Sequence, residues 1–400
     1  MIAHKNSLKG IVSAALVIAI ATAPNAFAAP KVVVVKQAKL IASDATAEGA
    51  TITNKAIITF SNVTGKSADI VIRAIDFTGT QMWSKTIDSG WDEVATAICV
   101  DSQGSIWLGG NSASAPVIDS ATASVGALNP DAVVLEDLAQ LRPDMKAISL
   151  WQLSATGDLL SQTSVVPDAP ALVDALSANS SGVSILISGD TGQSLLTVKS
   201  GTFGKELKLG TIKSNFKSLL RAGDASNYLF GSSSESIGSK KLVGKVDGIL
   251  LKISKAGAIA SVVRSSATKA VRGWQSATSS LFLSGVVATN TTTETALTKF
   301  NSSFKPIWTS RYPSTGKSLA ALGSNGSVYA IFEPTKVIKG IAGLKVIKGQ
   351  SGILQFDSKG ALIGAFTNSL LNNPISAGYS TDGGLIILNG DGSILQVPAR

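Results

Sequence analysis

The chain has 400 residues, a formal net charge of +9, 44% hydrophobic residues, one histidine and one cysteine. Beyond His4 there is no histidine for a Ser-His-Asp or Cys-His triad or for a histidine-ligated metal, and Cys99 alone makes neither an internal disulfide nor a Cys-rich metal site. Charged residues are 15% of the chain, against roughly 25% in ordinary soluble domains, which argues against a highly charged disordered protein.

Residues 1–28 read as a secretory signal peptide. His4, Lys5 and Lys9 form a basic start, Ile11 to Ala21 an apolar run, and Ala26-Phe27-Ala28 an A-x-A cleavage site. The expectation is a protein exported to the cell envelope or secreted, with residues 29–400 as a single domain. No cysteine stands at the cleavage point to carry a lipid, and no later apolar run reaches transmembrane length.

Strand-like runs then follow one another in chain order. Lys31 to Lys36 is rich in valine, and Lys55 to Phe60 reads as a fourth strand. An apolar strand running into a turn opens at Asp69, Lys146, Asp247 and Ser351, with weaker copies near Leu195 and Ala296. A second strand follows, as at Met82 to Ile87, then a third and fourth joined by a tight turn, as at Asp101 to Ser105. Aligning Ile70, Ile148, Leu195, Ile249, Leu297 and Ile353 gives four strands per unit of roughly 40–50 residues, the signature of a β-propeller. One step is longer, and the excess is an insertion near 114–145. Gly392 to Val397 repeats the first-strand pattern, so a composite blade from both termini would close the ring. The reading is an all-β propeller of seven four-stranded blades; an open solenoid or a sandwich array is the alternative.

Residues 68–113 carry the clearest unit, with Asp76, Gly79, Trp83 and the run Ala97-Ile98-Cys99-Val100-Asp101-Ser102 leading to Ile106-Trp107-Leu108-Gly109-Gly110. This unit resembles the bacterial secreted β-propeller repeat family, a resemblance that implies blade architecture and no catalytic residues. Asp76, Gly79 and Trp83, and Asn301 with Trp308, are also similar to the quinoprotein-like propellers, where such a tryptophan packs between blades.

The candidate ligand-binding residues lie in loops. Trp91, beside Asp92 and Glu93, sits between strands, unlike most of the six tryptophans, and Tyr312 before Pro313 occupies a similar position. Lys336, Lys339, Lys345 and Lys348 lie in the near-duplicate Lys336-Val337-Ile338-Lys339-Gly340 and Lys345-Val346-Ile347-Lys348-Gly349, and Lys240, Lys241 and Lys245 precede another first strand. Gathered on one face, these lysines would attract a polysaccharide, an anionic wall polymer or another extracellular protein. Nucleic acid is disfavoured because no arginine-rich or aromatic-interleaved run appears. The alternative is a carbohydrate-active enzyme, a glycoside hydrolase or lyase, pairing Asp92 or Glu93 with Glu136 or Asp137 of the insertion. No cofactor is expected. No metal is expected either, because the short acidic turns at Asp382 and Asp391 lack the oxygen ligands calcium needs. Cys99, in an alternating strand run, reads as a small buried residue.

Overall fold

The computed structural model describes residues 32–113 and 145–399. The expected signal peptide and residues 114–144 of the expected insertion lie outside the described residues.

The chain enters through β1 (Val33–Gln37) and β2 (Lys39–Ser43). A first antiparallel sheet follows from β3 (Gly49–Ile52), β4 (Ile57–Thr64), β5 (Ala68–Ile75) and β6 (Gln81–Ile87). The second holds β7 (Glu93–Val100), β8 (Ile106–Ser112), β9 (Ala147–Leu153) and β10 (Leu159–Val165). The third holds β11 (Ala171–Asn179), β12 (Gly182–Gly189) and β13 (Gly192–Lys199), with two short strands, β14 (Thr202–Phe203) and β15 (Leu207–Lys208), both paired to β13. The fourth holds β16 (Ser214–Arg221), β17 (Asn227–Ser233), β18 (Asp247–Ile253) and β19 (Ile259–Ser265).

A nine-stranded sheet comes next. It contains β20 (Val271–Ala277), β21 (Phe282–Ala288), β22 (Thr293–Phe300), β23 (Pro306–Leu322), β24 (Val328–Pro334), β25 (Ile341–Ala342), β26 (Gly352–Phe356) and β27 (Leu362–Thr367), together with β1. The last sheet is β28 (Pro374–Ser380), β29 (Gly384–Asn389), β30 (Ser393–Val397) and, from the other end of the chain, β2. The first strands β3, β7, β11, β16 and β20, the long β23 and then β28 touch one another in turn, and β28 meets β3, closing the ring of an all-β propeller.

Three sequence expectations change here. Seven separate four-stranded blades are not found. Five sheets stand alone, and the nine-stranded sheet arises because β23 is continuous, pairing β22 through Pro306 to Pro313 and β24 through Ser314 to Leu322. The sequence unit is also out of phase with the sheets. Its apolar opening strands are β5, β9, β18 and β26, each third in its row, and Lys55 to Phe60 falls on β4, the second strand. Third strands are buried from both sides, so they carry the strongest apolar signal. Outer strands such as β6 and β10 are mostly exposed. Finally, the valine-rich β1 is not the strand that completes the last sheet: it pairs in parallel with β25 and β27, and β2 takes that place.

Each sheet packs on the next through its own apolar cluster. Ile70 and Ile72 meet Ile106 and Trp151 between the first and second sheets, and Ile57 and Ile75 meet Ile386 and Ile394 between the first and last. Polar side chains add clamps. Asn62 donates to Ala95 O (2.9 Å) and accepts from Ala95 N (2.8 Å), and Gln193 does the same with Phe216 (3.0 and 2.5 Å). Both clamps grip the next sheet beside a β-bulge, where the ladder leaves backbone groups unpaired. Trp83 bridges the first and second sheets against Gly157, and Trp308 makes the same contact with Gly360 within the nine-stranded sheet.

Candidate functional site

In an antiparallel four-stranded sheet, the connection from second to third strand and the link onward to the next sheet leave from the same end. Among the described sequence candidates, Trp91 and Asp92 lie on such a link and the lysines on such connections, with Glu93 at the adjoining start of β7, all toward one face of the ring, here called the upper face; Tyr312 lies inside the long β23. They differ in what they present to solvent.

Trp91 is half-buried in the link from β6 to β7. Asp92 is a strut: its Oδ1 accepts from Ala68 N (2.7 Å) and its carbonyl from Ala113 N (2.8 Å), tying the link to the neighbouring turns. Glu93 opens β7 and has no solvent exposure. Its Oε1 accepts from the Ser89 hydroxyl, and its Oε2 is buried without a partner among the described residues. Burial pushes the Glu93 carboxyl above its ordinary pKa, and the nearby charges of Asp69 and Asp88 push the same way, against the Ser89 hydrogen bond. The partners considered for a paired-carboxylate site, Glu136 and Asp137, lie outside the described residues.

Tyr312 stands within β23 and not in a loop. Its ring stacks on Phe332 (centroids 5.6 Å apart, 25° between planes) and leans on Phe356, and burial raises its hydroxyl pKa. It is packing at the edge of the core.

The lysines are presented differently. Lys336, Lys339, Lys345 and Lys348 are all exposed on the connection between β24 and β26. Ile338, Ile341 and Leu344, placed between the lysines, are buried with Val33, Phe332 and Leu354 and pin this connection to the sheet, and Ile341 pairs with Val33. The anchors are Ile338 of the first Lys-Val-Ile-Lys-Gly copy and Ile341 and Leu344 in the stretch between the two copies, whereas Val346 and Ile347 of the second copy are exposed. None of the four lysines has an ion-pair partner among the described residues. Val337 and Ile347 beside them are 73% and 49% exposed, so the patch is basic with an aliphatic component. Lys240, Lys241 and Lys245 are exposed on the corresponding connection from β17 to β18. Among the described residues there is no group of three or more His, Cys, Asp or Glu side chains able to hold a metal ion.

Sequence reasoning missed the opposite, lower face. There the turns between first and second and between third and fourth strands surround a cleft of about 1050 Å³ at the second, third and fourth sheets, with Arg221 in its wall. No local motif marks it, because its residues come from turns far apart in the chain.

No protein-family model and no curated protein matches the chain. Among solved structures it is similar to a streptogramin B lyase (TM-score 0.50, 12% identity, covering 88% of this chain and 93% of that one). It is also similar to virginiamycin B lyase from Staphylococcus aureus (TM-score 0.46, 8% identity, 87% and 96% covered) and to the Dos1 propeller (TM-score 0.44, 11% identity, 87% and 77% covered). At such identities the likeness speaks for the fold: the protein is an all-β propeller.

Proposed function

We propose that the protein is an exported, non-catalytic binding module whose upper face holds an anionic polymer of the cell envelope, such as an acidic glycan. The observation that carries this reading is the anchored loop with four exposed, unpaired lysines, Lys336, Lys339, Lys345 and Lys348. Such a surface raises the local concentration of a polyanion and holds it through many weak, salt-sensitive contacts. Val337 and Ile347 add aliphatic contact area beside the charges. In this reading the nine-stranded sheet counts as two blades sharing β23, which the closed succession of first strands supports. The leader of residues 1–28 supports export. At 12% identity the likeness to the streptogramin B lyase extends to the fold alone, and lyase activity is no part of this reading.

The test is retention of the purified protein on an acidic polysaccharide and on a neutral one, at low and high salt. Retention on the acidic polymer alone, falling with salt, is expected. Replacing the four lysines by glutamine should weaken retention and flatten its salt dependence; an unchanged slope would overturn the proposal.

A further inference from the structure

The lower-face cleft is a second site, unconnected with the lysine loop. It opens where the third sheet lacks a full outer strand: β14 and β15 are two residues each, whereas β10 and β19 are seven. Its wall includes Trp107, Arg221 and Asn227, with Lys199, Lys205 and Lys255 on the turns around it.

Arg221 is half-buried and its charge is not balanced. Nε donates to Ser181 Oγ (2.9 Å), Nη1 to Ser184 Oγ (2.8 Å) and Nη2 to Ser181 O (3.0 Å). All three acceptors are neutral, and no carboxylate lies within ion-pair distance among the described residues. A guanidinium carries five N–H groups, so two remain for a ligand. A cation withdrawn from water without a counter-ion is costly, and burial lowers its pKa accordingly. The one acid lining the cleft, Asp101, does not offset it. Asp101 Oδ1 accepts from Gln103 N (2.8 Å) and Ser105 N (3.0 Å), and its Oδ2 from Trp107 Nε1 (2.9 Å). Those bonds hold the carboxylate in its own turn, outside ion-pair distance of Arg221, and fix the indole of Trp107 in the cleft wall.

Asn227 supplies the complementary feature. It is 2% exposed, and its Oδ1 is buried with no hydrogen-bond partner among the described residues. That acceptor calls for a donor such as a hydroxyl.

We propose that the cleft binds an acidic sugar: a carboxylate or phosphate on Arg221, the sugar ring against Trp107, and a hydroxyl donating to Asn227 Oδ1. The guanidinium is suited to either oxyanion, and its surroundings exclude enough water for the pairing to count. Lys199, Lys205 and Lys255 add attraction at the rim, where solvent screens them.

The test is a calorimetric titration of the protein with glucuronate, glucose 6-phosphate and glucose, together with Trp emission as a second readout. Saturable binding of one or both acidic sugars, with none for glucose, is expected; the acid that binds identifies the anion. Arg221→Met should weaken binding about tenfold to a hundredfold, the range for a hydrogen-bonded charge. Because Arg221 also holds Ser181 and Ser184, Arg221→Lys is made in parallel: it keeps the charge, and it should weaken binding less while leaving the melting temperature near that of the parent. The double variant Lys199→Gln, Lys255→Gln should weaken binding by less than Arg221→Met. The upper-face variant, with glutamine at the four loop lysines, should bind acidic sugars as the parent does. Equal binding of glucose, binding untouched by Arg221→Met, or no saturable binding of either acid would overturn the proposal.

Discussion

Trp83 in the outer strand of the first sheet lies against Gly157 in the outer turn of the second, so close that a Cβ there would fall 2.7 Å from the indole. The same relationship recurs between Trp308 and Gly360, also at 2.7 Å. Both glycines have positive φ, +84° and +86°. Gly157→Ala is therefore expected to cost about 2–4 kcal/mol, combining left-handed strain with overpacking. Gly90, with φ +83° and nothing within 4 Å of its Cβ position, isolates the backbone contribution: Gly90→Ala should cost about 1–2 kcal/mol. Urea unfolding of the two variants checks this, and equal costs would show that the indole contact yields easily.

Asp247 and Arg264 form an ion pair at 3.0 Å with side-chain exposures of 0% and 6%. Burial alone would raise the Asp247 carboxyl, but the N–H groups of Val243 and Gly244 and the Arg264 guanidinium together hold it below its ordinary pKa. Its contribution to stability is thus present above the ordinary carboxylate pKa and is lost as pH falls through the lowered one. Asp247→Ala is expected to destabilise by about 3–5 kcal/mol, because it leaves a buried cation unpaired. Replacing both residues by leucine should cost less than Asp247→Ala alone, as a double-mutant cycle would register.

Glu93 has the opposite sign. Its raised pKa means that the folded state favours the protonated form, so its contribution is present below the ordinary glutamate pKa and is lost as pH rises through the raised value. Glu93→Gln keeps an acceptor for Ser89 and carries no charge. The variant should unfold at the same or higher urea concentration than the parent at pH 8, and any advantage should shrink at pH 4.

Cys99, expected to be buried, is half-buried: it packs against apolar residues shared by the second and third sheets, and desolvation pushes its thiol up to about 12. A raised thiol pKa leaves less of the reactive thiolate in the native protein than in the unfolded chain. A thiol reagent is expected to label the unfolded chain rapidly and the native protein slowly. Rapid native labelling would contradict the packing of Cys99.

The parts of the fold legible from sequence are those buried on both faces. Strands β5, β9, β18 and β26 stand out as apolar runs ending in turns, and they announced a propeller, but repetition alone does not say which strand of a row comes first. The continuity of β23 was hidden by Tyr312-Pro313, which reads as a loop; here Pro313 pairs with Glu294 at the point where the strand passes from one neighbour to the other. The charges of the lysine loop were legible because they fall in a repeated pentapeptide; its anchors were not, because Ile341 and Leu344 lie between the two copies. The cleft around Arg221 was not: Ser181 comes from a turn of the third sheet and Asn227 and Lys255 from the fourth, and they become neighbours only through the packing of one sheet on the next.

The pairing of β2 with β30 also sets an order on biosynthesis. Strand β2 leaves the ribosome long before its partner β30, with every other sheet of the ring made in between. That sheet cannot be completed until β30 has emerged, so closure of the ring follows synthesis of all the other sheets, whatever the sequence in which they form. Until then the edge of β2 is open to pairing with other chains.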